Sequence, residues 1–82
     1  MQGRFSFPAR FNREGAMVNV SFRDLPECLT FGKGLKDAMK MAEDCLDEGI
    51  AARIVNGGAI PMPSRPRSGE RLVAPPPQTA AK

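Results

Sequence analysis

The stretch from Val18 to Ala42, VNVSFRDLPECLTFGKGLKDAMKMA, limits the possible folds more than any other part of this chain. Val18, Val20 and Phe22 alternate with Asn19 and Ser21, the period of a strand with one buried face. Asp24-Leu25-Pro26 reverses the chain, Cys28 to Phe31 supplies a second short apolar run, and Gly32 and Gly34 bracket the entry to a helix. The pattern predicts strand, tight turn, strand, glycine break and helix, with Val18, Val20, Phe22, Leu29, Phe31, Leu35 and Met39 in the core. No catalytic group stands out in it.

The flanking segments complete the pattern. In Arg4 to Phe11, Phe5, Phe7, Ala9 and Phe11 share one face, and Arg4, Ser6, Pro8 and Arg10 the other, which predicts a strand with one wet face. Pro8 cannot donate to a ladder, so it is expected on an edge strand or at a non-bonded position. Asn12 to Gly15 reads as a hairpin loop, Met17 to Phe22 as the second strand and Glu27 to Phe31 as the third, an antiparallel meander. Leu35, Ala38, Met39, Ala42, Cys45, Leu46 and Gly49 form one helical stripe, so a helix is predicted over 35–55, with Gly34 at its N-cap and Asp37 completing a weak capping box. Asn56-Gly57-Gly58 ends it. Ala59 to Ser64 is an extended, proline-punctuated exit, residues 65–70 a polar linker, and Arg71 to Ala74 a short fourth strand. The predicted class is α+β: a three-stranded antiparallel meander, one long helix and a short fourth strand, β-β-β-α-β. The folded domain is expected over 1–74, with a disordered Pro-rich tail over 75–82.

Size and charge narrow the function. The 82 residues allow one domain, and a domain this small buries a modest share of its surface, so a homodimer or higher homo-oligomer is expected. The net charge of +3 is unevenly spread: residues 1–22 sum to +2, residues 23–56 to −2 and the remainder to +3. The basicity therefore lies in the tail, through Arg65, Arg67, Arg71 and Lys82, which argues against nucleic-acid binding by the folded part alone. Four charges there supply only weak, salt-sensitive binding, and the tail has no aromatic residue for base stacking. With no histidine and only Cys28 and Cys45 as thiols, a single-chain zinc site is excluded. Two buried free thiols in a reducing compartment are expected, so the chain is read as cytoplasmic. No apolar run approaches the ~20 residues that span a bilayer, and no cofactor is called for.

The helix charges oppose their own dipole. Lys36 and Lys40 fall in the N-terminal half, and Glu43, Asp44, Asp47 and Glu48 toward the C-terminal end, at up to a few tenths of a kcal/mol each when exposed. Lys36/Lys40, Glu43/Asp47 and Asp44/Glu48 are also like-charge pairs four apart, each mildly unfavourable. A solvated face needs no such arrangement, and two readings stand side by side: an acidic partner-facing patch and a plain solvated surface.

The ordered set Phe7-Pro8-Ala9, Asp24-Leu25-Pro26, Cys28, Thr30, Gly32, Asp37-Ala38 and Ile60-Pro61-Met62-Pro63-Ser64 resembles the HicB-type antitoxins and their small HicB-like relatives, over about residues 4 to 74. Glu27 and Gly34 stand where that family usually has glycine and a capping Thr or Ser. The resemblance implies a partial RNase H-like fold without the metal-binding carboxylates of that fold. It further implies a non-catalytic role: binding and blocking a small HicA-type RNA-cleaving toxin. An acidic surface over an RNase active site competes with RNA phosphate through charge complementarity. The candidate contact residues are Asp24, Glu27, Glu43, Asp44, Asp47 and Glu48. Other readings are an orphan relative without a toxin and a weak nucleic-acid-binding module acting through the basic tail. A relic nuclease is disfavoured, because two-metal cleavage needs carboxylates and Arg4 to Phe11 contains none.

Overall fold

The computed structural model describes residues 6–76. Four strands, β1 (Phe7–Glu14), β2 (Met17–Phe22), β3 (Leu29–Lys33) and β4 (Glu70–Val73), and one helix, α1 (Gly34–Val55), follow in the order β1-β2-β3-α1-β4. The strands form one antiparallel sheet in the order β3-β2-β1-β4, and α1 covers one of its faces. This is the α+β, β-β-β-α-β arrangement expected from the sequence.

The core lies between sheet and helix. Phe7 and Ala9 of β1, Val18, Val20 and Phe22 of β2, and Val73 of β4 meet Ala38, Ala42 and Leu46 of α1, with Leu25 and Cys28 closing one end. Two alanines on the helix stripe let its backbone approach the sheet. The approach is closest at Gly32, where an added Cβ would lie 2.5 Å from the backbone nitrogen of Ala38, well inside any real carbon contact.

That close approach explains the main departure from the predicted core. Gly32 and Cys28 point toward the helix, so Leu29 and Phe31 between them point away and are 67% and 57% exposed. Bulk favoured burying Leu29 and Phe31, but successive side chains alternate across a strand, and the helix sits on the glycine. Leu35 is also exposed, while Met39 packs at the core margin. The third strand begins two residues later than expected, because Cys28 N–H donates to the Leu25 carbonyl (2.9 Å) and prolongs the turn.

The first hairpin is tighter than predicted. Strand pairing runs through Glu14↔Met17, leaving a two-residue turn in which Gly15 adopts φ +62°. Asn12, Arg13 and Glu14 have loop-like polarity because this end of β1 is exposed, and Asn19 Nδ2 donates across the hairpin to Glu14 Oε1 (2.6 Å). β1 is an inner strand, yet Pro8 is its second residue and lies past the last β1–β2 pair, Ala9↔Phe22. The ladder on that side has already ended.

The N-cap of α1 is Lys33, one residue earlier than expected, and no side chain caps it. Asp37 Oδ2, four residues on, accepts the Lys33 N–H (2.8 Å), a reach-back bond made from one residue beyond the N3 position of a capping box. At the other end Gly57 N–H bonds to the Ile54 carbonyl and Gly58 N–H to the Arg53 carbonyl, with Gly57 at φ +75°, a Schellman ending. Ile60 then packs against the core, Met62 is exposed, and β4 pairs with β1 through Phe7↔Val73 to Arg10↔Glu70. Of the expected tail, residues 77–82 lie outside the described residues, as do Arg4 and Phe5 of the expected first strand.

Candidate partner-binding surface

The six acidic residues singled out from the sequence divide into two groups. Asp24 and Glu27 lie in the turn between β2 and β3 and are committed to holding the chain together. Asp24 Oδ2 accepts the backbone N–H of Ser64 (2.7 Å), and its Oδ1 accepts the Ser64 hydroxyl (2.6 Å). Burial pushes the Asp24 carboxyl up, but the two Ser64 bonds and Arg23 outweigh it, and its pKa falls below the ordinary value. Glu27 takes a bidentate grip from Arg53, Nε to Oε2 at 2.6 Å and Nη2 to Oε1 at 2.9 Å. These hydrogen bonds, with the Arg53 charge, hold Glu27 down to about 2.

Glu43, Asp44, Asp47 and Glu48 are different. All four lie on α1, and among the described residues their side chains make no hydrogen bond or ion pair. Ala38, Ala42 and Leu46 mark the buried side of the helix. At 3.6 residues per turn, Glu43 with Asp47 and Asp44 with Glu48 form two adjacent rows beyond it. Asp44 and Glu48 are exposed, and Glu43 and Asp47 half-buried at the flank. The structure thus leaves four carboxylates without a side-chain partner together in the middle turns of α1, while Asp24 and Glu27 are engaged within the fold.

A third clamp meets the same turn. Arg23 Nε bonds Glu70 Oε2 at 3.0 Å, its Nη2 bonds Glu70 Oε1 at 3.2 Å, and the same Nη2 donates to the Arg65 carbonyl. Glu70 Oε1 also accepts the Arg67 N–H (2.7 Å). The hydrogen bonds from Arg23 and Arg67 hold the Glu70 carboxyl below its ordinary value. The segment expected to be a free polar linker is therefore pinned over its length. Sequence reasoning missed this because the partners lie more than forty residues apart. The only advance signal was the concentration of charge in Arg23-Asp24 and Glu27.

Cys28 and Cys45 are free thiols. Burial, then the neighbouring Cys45, pushes the Cys28 thiol up to about 11, so it packs as a small apolar group. Among the described residues no three His, Cys, Asp or Glu side chains converge to hold a metal ion, and no helix is long and apolar enough to cross a membrane.

The sheet face away from α1 has its own chemistry. Register aligns Leu29, Ser21, Arg10 and Glu70 in one row across the four strands, and Phe31, Asn19 and Asn12 in the next. An open cleft of about 440 Å³ runs along Arg10, Asn12, Asn19, Ser21, Leu29 and Phe31. A second, of about 350 Å³, continues past Arg10, Ser21 and Leu29 to Arg23, Arg67 and Glu70.

With this architecture in place, two likenesses to known proteins bear on it. A sequence model described as HicB_like antitoxin of bacterial toxin-antitoxin system matches residues 5–82. Antitoxin HicB 2 of Photorhabdus laumondii subsp. laumondii is 33% identical over 82 residues, all of this chain and 58% of that relative. The chain thus spans little more than half the length of the curated relative it matches. The motifs on which the sequence resemblance rests also shape the fold: Asp24-Leu25-Pro26 makes the clamped turn, Gly32 seats the helix, and Ser64 closes the exit on Asp24. The chain belongs to the HicB-like antitoxin family.

Proposed function

We propose that this chain is a non-catalytic, cytoplasmic protein-binding domain that neutralises a HicA-type RNA-cleaving toxin, using the carboxylates of α1 as the contact surface. Membership of an antitoxin family supports a toxin partner in general. The observation that carries the choice of surface is that Glu43, Asp44, Asp47 and Glu48 have no partner among the described residues, while Asp24 and Glu27 are engaged within the fold. An unpaired acidic face with like charges four residues apart costs stability and returns nothing to the isolated domain. Laid over a cationic RNase site, the same face would compete with phosphate and speed encounter. In this reading the domain is a partial RNase H-type scaffold. Exposed apolar side chains at the end of α1, Ile54 and Val55, together with Met62, favour self-association as well.

The test is co-expression with the neighbouring short reading frame. The proposal expects a stable complex in which cleavage of RNA is suppressed. A soluble partner that remains active in the presence of excess chain overturns it.

A further inference from the structure

The sheet face opposite α1 changes two of the grounds on which nucleic-acid binding was discounted from the sequence. The tail lacked an aromatic residue, and its arginines were expected on a free linker. In the fold, the linker is pinned to Arg23 and Glu70, which brings Arg67 beside Arg10 at the second cleft. Phe31, expected in the core, is 57% exposed at the first cleft, which shares Arg10, Ser21 and Leu29 with the second.

The layout of this face selects the ligand. A protein-docking patch has an apolar centre and a polar rim; here the order is reversed. Asn12, Asn19 and Ser21 occupy the middle, with Leu29 and Phe31 to one side on β3. The side chains of Arg10 and Arg67 make no hydrogen bond among the described residues. Glu70 lines the same cleft and pairs with Arg10 across the strands. It is held by Arg23, so the two charges offset each other in part, and Arg10 and Arg67 remain as the cations there without a hydrogen-bonded acid. The Asn12 amide is unengaged, and the Asn19 amide retains its carbonyl after donating to Glu14. An exposed aromatic ring, free amides and arginines on an open sheet match the needs of an unstacked base and its phosphates. A duplex would need an element that enters a groove, and this flat face offers none.

We infer that this face binds a single-stranded nucleic acid, with one base stacked on Phe31, base edges read by Asn12 and Asn19, and phosphates along Arg10 and Arg67. The strand runs from Phe31 toward Arg67, away from the Glu14 carboxylate at the end of the hairpin. This site is separate from the acidic helix face and does not depend on the toxin-binding proposal.

The experiment is fluorescence anisotropy with a labelled RNA of about ten nucleotides and mixed sequence, using the full chain without any toxin. Two phosphate contacts predict a slope of log affinity against log salt of about −1.4. Arg10→Ala should reduce the magnitude of that slope by about 0.7. Phe31→Ala should weaken binding about tenfold, and Phe31→Tyr should restore it. Phe31 lies outside the core, so thermal melts of these variants should match the parent. No binding at low salt overturns the inference, as does equal affinity for a duplex of the same length. If Phe31→Ala and Arg10→Ala leave RNA affinity unchanged but disrupt self-association, the face is a protein interface and the inference fails.

Discussion

Gly32 is the residue on which the architecture turns. Its missing side chain lets α1 pack against β3, and the space a Cβ would need is filled by backbone at Ala38. Backbone cannot swing aside as a side chain can, so Gly32→Ala should cost about 1–3 kcal/mol or more. A denaturant melt should show a lower midpoint with an unchanged slope. Gly49 offers a contrast, since an added Cβ there meets only the Cys28 sulfur. Gly49→Ala should cost less than Gly32→Ala, and a Cys28→Ala background should relieve it. Asp24 is the second key residue. Two hydrogen bonds from Ser64 converge on its carboxylate, and bonds to a charged group contribute about 1.5–3 kcal/mol. Asp24→Ala should lower stability by that order, measurable by chemical denaturation, and should free the exit segment for hydrogen exchange.

At the scale of elements, α1 is better suited to a partner than to itself. The Glu43/Asp47 and Asp44/Glu48 rows place like charges four apart in the middle turns of the helix. The double substitution Asp47→Lys and Glu48→Lys turns both rows into favourable acid-to-base pairs. The isolated domain should become more stable by about 0.5–1 kcal/mol, while capture of the proposed toxin partner should weaken. A variant that loses stability and capture together would place these carboxylates in the fold instead. Much of this element was legible in the sequence, since the stripe of Ala38, Ala42 and Leu46, the Asn56-Gly57-Gly58 ending and the opposed charges all follow from local spacing. β3 was harder. Its residues alternate cleanly, but alternation leaves the choice of face open, and hydrophobicity chose wrongly for Leu29 and Phe31. The deciding contact, Gly32 on Ala38, is a packing event between two elements that no local window contains. The clamps were illegible for the same reason, since Arg23, Asp24 and Glu27 find their partners at Glu70, Ser64 and Arg53.

For the whole molecule, those three clamps converge on one five-residue turn, Arg23 to Glu27, and tie to it the three parts that close the fold. Glu27 holds the end of α1, Asp24 the exit segment, and Arg23 the start of β4. All three carboxylates involved, Asp24, Glu27 and Glu70, have pKa values depressed by their partners. A depressed carboxylate contributes stability that is complete above its unfolded value and is lost as pH falls through its folded value. For Glu27 that window runs from about 4.5 down to about 2, and Asp24 and Glu70 lose their contributions in the same direction. Each kcal/mol lost from a domain of this size lowers Tm by about 4–8 °C. The melting temperature should therefore hold steady near neutrality and fall progressively below about pH 4.5. Because the clamps share one turn, β4, the exit segment and the end of α1 should loosen together. Hydrogen exchange at pH 3 should show protection lost jointly at Val73, Ser64 and Ile54, whereas independent clamps would release them at separate pH values. Glu27→Gln should flatten the acid limb of the curve, since a residue that no longer titrates cannot contribute to it.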